Sequence, residues 1–356
     1  MRIGDKVQIS AQAMAVKAIF PERPGDEVVE EIREFVKAGN DPHNWRGHTH
    51  TKPPVGARIT YIGDLDLDPN RASPCPCCSP GRAKFYHRGM IAYFPDEHVI
   101  RIIGPDCFKT LNPEGHEAAM KHYEIEQKRR KEVEYLLNNL PAAGQLEQAL
   151  EKAIEVADAI DTVRNRISDG SLEDVLGVDL PALIGSGTLR VTTEFEETYV
   201  DSSGKTNTRK GYQDEKFGQI AGTVMVKKNT SRFVNKLKAV LDAVRQLPKP
   251  SAAKLKEEIE KLDDVTRVHT ARLLGNSLNT SESLWEAMDD ARSFLSPNNL
   301  ATINGWGRHP GSPAQIEVRR EGADIVMARR GYQGRRIRLP QAFDKVLERL
   351  PKLGVE

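Results

Sequence analysis

The sequence predicts an α+β protein assembled from several parts, and three observations carry that reading. All four cysteines fall within the 33 positions from Cys75 to Cys107, in a stretch of strand-like residues. A charged helical middle begins near Glu117. The remainder alternates strand-like and helical runs and holds two concentrations of basic residues. At 356 residues the chain can bury a full core, and chains of this size commonly divide into about two or three domains. The formal net charge of +1 averages over this asymmetry. A content of 38% hydrophobic and 29% charged residues suits a helical, multi-part protein.

The parts follow in order. Residues 1–63 contain a helix at 25–37 (GDEVVEEIREFVK), a polar loop broken by Pro42, Pro53 and Pro54, and a short strand, ARITYIG, ending at Gly63. Residues 64–116 hold the cysteines. Residues 117–186 hold two helices: AAMKHYEIEQKRRKEVEYLLNNL, stopped by Pro141 and Gly144, and a second over 145–167. In the second, Leu146, Leu150, Ala153, Ala157 and Ile160 alternate steps of four and three, the spacing of a coiled-coil seam. This predicts a helical hairpin packed on itself, with a homo-oligomer through residues 145–167 as the alternative. Residues 187–230 offer two strands, TLRVTTEFEETYV and GQIAGTVMVKK, joined by the polar connection DSSGKTNTRKGYQDEKF. Residues 231–296 predict helices near 232–246, 252–274 and 281–295. Residues 297–356 return to strands, QIEVRR and ADIVMARRG, and end in a helix over 341–350. No apolar run approaches the roughly 20 residues that span a bilayer. The first residues lack the layout of a signal peptide. The expected location is therefore cytoplasmic, where clustered thiols stay reduced and more often hold metal than form disulfides.

Cys75-Pro-Cys77-Cys78 contains a C-P-x-C knuckle, a spacing that lets one tight turn aim two sulfurs at one ion. AKFYHRGMIAYFP and HVIRIIG then read as a hairpin turning at Asp96 and Glu97, which returns the chain beside its start. Gly104-Pro-Asp-Cys107 presents a third sulfur in the first turn of a short helix, a place that favours the thiolate. Four-coordinate zinc is the expected cofactor. Its ligands would be Cys75, Cys78 and Cys107 with His87 as first choice for the fourth, and His116 or Cys77 as alternatives. Such a site is structural, because it leaves no open position for water.

Knuckle, hairpin and apolar-Gly-x-x-Cys step together resemble the small treble-clef or ribbon-type zinc modules of bacterial and phage proteins, over residues 74–116. The resemblance implies zinc binding. Such modules help bind nucleic acid in some families and staple a fold in others. The sequence departs from the commonest pattern at Thr110, where a second C-x-x-C would place its last cysteine.

Other constellations carry less. His43, His48 and His50 contain an H-x-H pair but read as a solvated loop. GDLDLD at 63–68 resembles the start of a calcium loop, yet Pro69 stands where a glycine is required. Gly204-Lys205-Thr206 matches only the end of a phosphate-binding P-loop. No nucleophile, base and orienter are set by spacing, so no catalytic residue is assigned.

Charge says more. From Lys205 to Lys238 there are nine Lys or Arg and two acids, and from Arg308 to Arg338 eight Arg and three acids. Arginine forks suit phosphate oxygens and base edges, and interleaved aromatics stack bases. Nucleic acid is the expected partner. Arg209, Lys210, Arg329, Arg330, Arg335 and Arg336 are the candidate phosphate contacts, and Tyr212, Tyr332 and Trp306, the last in a flexible loop, are the candidate stackers. RKGYQ at 209–213 and RRGYQ at 329–333 echo each other as a candidate repeat. The competing reading is that these arginines pair with acids inside the protein, and a scaffold role follows from it.

Overall fold

Val29, Ile32 and Val36 recur at helical spacing, and in the computed structural model they form the buried stripe of helix α1 (Asp26–Lys37). The structure describes residues 20–68, 70–78, 85–228 and 230–349, together with Ile9 and Met14. The reading of the first residues and the expected strand start at Ala83 fall outside these. The described chain is α+β and forms two compact units, Met1–Lys131 and Glu132–Glu356. The boundary between the units falls inside the helical segment expected over 117–186. No helix among the described residues is long and apolar enough to cross a membrane.

In the first unit, α1 is followed by β1 (Thr60–Asp66), the short strands β2 (Ser73–Pro74) and β3 (Phe85–Tyr86), β4 (Arg88–Phe94) and β5 (Val99–Ile103). Helix α2 (Pro105–Leu111) comes next, and α3 (Pro113–Asn139) carries the chain past Lys131 into the second unit. The main sheet is antiparallel in the order β1-β4-β5, and β2 pairs only with β3. The expected strand ending at Gly63 in fact continues to Asp66. Helix α1 crosses it there, so close that a Cβ on Gly63 would lie 2.7 Å from a Val29 methyl. The hairpin β4–β5 turns where expected, and both strands are buried almost throughout. Arg101, fully buried, pins β5: its guanidinium donates to both Glu97 carboxylate oxygens and to Thr51, and lies 4.5 Å from the Phe94 ring centroid.

The second unit is built on α4 (Ala143–Ser168). Then come α5 (Ser171–Leu176), α6 (Leu180–Ile184), and the two-stranded ribbon β6 (Thr188–Val200) and β7 (Thr206–Gln219). Helices α7 (Phe233–Arg245), α8 (Leu255–Lys261), α9 (Asp264–Ser293) and α10 (Pro297–Arg308) follow, and β8 (Ile316–Glu321), β9 (Asp324–Arg329) and β10 (Arg335–Arg338) close an antiparallel sheet in the order β10-β9-β8. All five seam residues of α4 are at most 2% exposed, because α4 is the central helix of the core. It packs chiefly on α7, and Leu136 near the end of α3 joins the same core. The heptad spacing is therefore consumed within the unit, and no oligomer through 145–167 is proposed.

Several expectations need correction. The partner of β6 is not 218–228 but the polar connection itself, as β7. Its tight turn is closed by Asp201, whose carboxylate accepts the backbone N–H groups of Ser203 and Lys205, and by Gly204 at φ 82°. The apolar run after β7 is buried at Ile220, Met225 and Val226 and takes a 3-10 turn. The two helices expected across 252–295 become α8 and the 30-residue α9, broken where Asp263 caps Thr266. The helix expected over 341–350 shortens to a 3-10 turn, Gln341–Asp344. The RKGYQ echo is not a structural repeat, since the first copy lies inside β7 and the second ends β9 and turns.

Candidate metal centre and basic cluster

The knuckle sits just after β2, where Cys78 N–H bonds back to the Cys75 carbonyl in the tight turn that the spacing implies. The β4–β5 hairpin returns the chain to this point, and α2 starts at Pro105 with Cys107 in its first turn. The three sulfurs of Cys75, Cys78 and Cys107 lie within 4.8 Å of one another, and those of Cys78 and Cys107 are 3.7 Å apart. Bonds of about 2.3 Å from a tetrahedral ion give sulfur separations of roughly 3.8 Å. The three can therefore hold a metal ion with little rearrangement. Gly104 N–H donates to Cys75 Sγ at 3.3 Å, as amides do to metal-bound thiolates. A hydrogen bond from Cys77, with that amide, holds the Cys75 thiol below its ordinary range. The same bond and burial push Cys77 up, and burial pushes Cys107 up.

The histidines expected to complete the set are placed elsewhere. His87 is exposed and stands outside the sulfur group. His116 Nδ1 is hydrogen-bonded with the Tyr61 hydroxyl at 2.8 Å. Cys77 is buried and bonded to Cys75, although its sulfur is not within 4.8 Å of all three others.

The loop that carries His43, His48 and His50 is not solvated: all three side chains are buried. Ile102 N–H donates to His48 Nδ1, so His48 carries its proton on Nε2 and donates it to His50 Nδ1 at 3.0 Å. His43 Nδ1 lies 3.4 Å from Ser73 Oγ, beside the knuckle. Burial, then the nearby His43, lowers His50 to about 4. An unfolded histidine takes its proton near pH 6.5, so the unfolded state binds more protons between these values. The contribution of His50 is complete above about pH 6.5 and is lost as pH falls toward 4. Urea denaturation of the first unit should show a loss on the order of 2–3 kcal/mol over this interval. The same titration of His50→Asn should be flatter; parallel curves would exclude His50 as the cause.

Most of the basic candidates are paired. Arg209 meets Glu197 directly across the ribbon, Lys210 meets Glu194, Arg335 meets Asp169, and Arg336 meets Glu321 and Asp324. Trp306 does not lie in a loop. It is 1% exposed in α10, its indole N–H donating to Arg190 O at 2.6 Å, so it has no face to offer a base. Tyr212 and Tyr332 are exposed, and the Arg329 guanidinium lies 5.2 Å from the Tyr332 ring centroid. Arg329 and Arg330 have no carboxylate partner among the described residues, and neither do Lys227 and Arg232, which the sequence reading did not single out.

These segments converge. Arg164, Asn165, Ser168 and Asp169 at the end of α4, with Lys227, Lys228, Thr230 and Arg232, line a cavity of about 420 Å³. Arg335 binds Asp169 in its wall. Lys228 stands 3.6 Å from Asp179 and 3.9 Å from Glu173, and the Arg329 guanidinium lies 3.9 Å from where a Cβ on Gly177 would stand. Comparison of the chain with protein-family models, with curated proteins and with solved structures found no match.

Proposed function

We propose that the protein is a cytoplasmic, zinc-stabilised binding protein whose second unit associates with nucleic acid. One observation carries the nucleic-acid reading: Lys227 and Arg232 line one cavity at the end of α4, and Arg329 lies near Gly177 on the neighbouring stretch, all three free of carboxylate partners among the described residues. Unpaired cations gain most from phosphate, because no internal ion pair must break first. Tyr332, held beside Arg329, is the stacking surface in this reading. Arg209, Lys210, Arg335 and Arg336 are not assigned to phosphate, since their charge is matched.

Zinc is the metal that three thiolates in a closed pocket suit best in a reducing compartment. Cys77 is the fourth ligand in this reading. It already contacts Cys75, and the neighbouring stretch SPGRAK supplies no histidine, cysteine or acid. The ion staples β2, β3 and the start of α2 and performs no chemistry.

Oligonucleotide binding at low salt should weaken linearly in log Kd against log salt. Lys227→Gln with Arg232→Gln should reduce the slope by about 1 to 2 and weaken single- and double-stranded ligands alike. Binding that is absent at low salt, or independent of salt, would remove the reading.

A further inference from the structure

We infer that the cavity at the end of α4 is a phosphate-binding pocket, shaped for one phosphate group rather than for an extended polyanion alone. The inference refines the nucleic-acid reading, because the cleft is the same, but it stands on its own geometry. The floor is Arg164, 2% exposed. Its guanidinium lies 2.9 Å from Asp161 and donates to the carbonyls of Thr230 and Ser231 at 3.5 and 3.4 Å. Asp161 in turn accepts the N–H of Val234 at 3.1 Å. A buried pair on α4 thus fixes the segment that delivers Thr230 and Arg232 to the cavity wall.

The wall is unmatched in charge. Arg164 is balanced by Asp161, and Asp169 by Arg335. Lys228 is loosely balanced by Asp179 and Glu173. Lys227 and Arg232 remain, two cations lining one cavity with no carboxylate of their own among the described residues. A phosphate monoester carries about 1.5 to 2 negative charges near neutral pH, which matches them. Thr230 lines the same cavity, and its hydroxyl is shielded from solvent with no hydrogen-bond partner among the described residues. A buried hydroxyl left unpaired is costly, and a phosphate oxygen would satisfy it. Arginine, lysine and hydroxyl donors around one space make the combination that recognises phosphate.

Isothermal titration of the full chain with inorganic phosphate, with a nucleoside 5′-monophosphate and with chloride at matched ionic strength tests the pocket. Saturable binding of the two phosphates and not of chloride is expected. Arg232→Gln or Lys227→Gln, both at exposed positions, should each weaken it by about tenfold, and Thr230→Val should weaken it without altering charge. No saturable phosphate binding, or variants within about twofold of the parent, would overturn the pocket. Failure of the nucleic-acid reading looks different. Phosphate binding that survives while oligonucleotides show no salt-dependent binding leaves the pocket standing and points to a small phosphate ester. Oligonucleotide binding unaffected by millimolar inorganic phosphate and by both substitutions would remove the pocket and leave nucleic acid to another surface.

Discussion

Protein purified without chelator is expected to carry about one zinc per chain, and Cys75→Ser or Cys107→Ser is expected to lose it and destabilise the first unit by at least about 4 kcal/mol. The size follows from what surrounds the sulfurs. Cys75 is 1% exposed and Cys77 6% exposed, both inside the core of that unit with Phe108 and Tyr86. The segment they anchor has little else to hold it: β2 and β3 share two residue pairs, Ser73 with Tyr86 and Pro74 with Phe85. Strands β4 and β5 are buried almost throughout and paired over five residues, and should survive chelation longer. Hydrogen exchange should resolve this order. The Leu67 N–H, bonded to His87 O at 2.8 Å, should lose protection on chelation before the amides of β5 do. Cobalt(II) substitution tests the fourth ligand, since Cys77→Ser should weaken the sulfur-to-metal absorption and His116→Ala should not. Metal-free protein with an unchanged unfolding transition would sink the staple.

What the sequence made legible depended on how local the cause was. The cysteine spacing encodes a turn, a hairpin and a helix start, all short-range, and the three sulfurs come together as that predicts. The fourth ligand was not legible, because whether His87 points in or out depends on which face of the chain the sheet buries. Strand β7 was hidden for a related reason. A ribbon exposed on both faces needs no apolar alternation, so it reads as polar linker. Trp306 shows the opposite error. Its flanking glycines suggest a flexible loop, yet Gly307 is there for contact, since a Cβ on it would lie 2.0 Å from Ile316 O. Charge was the least legible quantity. Arg209 meets Glu197 only because the register of β6 and β7 sets them opposite each other, and Lys227 stays unmatched only because of where the chain returns. The charges of a segment can be counted in sequence, but their pairing is a tertiary fact.

Arg164→Met is expected to destabilise the second unit by about 3–5 kcal/mol, because it strands a buried carboxylate. Asp161 and Arg164 are 3% and 2% exposed, one turn apart on the central helix. Both side chains are almost fully withdrawn from solvent, so each depends on the other for its charge compensation. Asp161→Ala should cost a similar amount, as it strands the guanidinium and frees the Val234 N–H. The double variant Asp161→Leu with Arg164→Met should cost less than the sum of the two, and the shortfall in thermal or urea unfolding measures the coupling. Asp161→Asn keeps an acceptor for Val234 and should fall between. Single variants within about 1 kcal/mol of the parent, or a double variant equal to the sum, would show that the pair is solvated in solution and does not hold the 230–234 segment. If the pair does hold it, the double variant gives a further result. It restores much of the stability while removing the carbonyl anchors of Thr230 and Ser231, so phosphate affinity should fall even though Lys227, Lys228 and Arg232 are intact. Stability and phosphate binding would then separate in one protein. A core built only for packing predicts no such separation, while a pair retained to position a binding segment requires it.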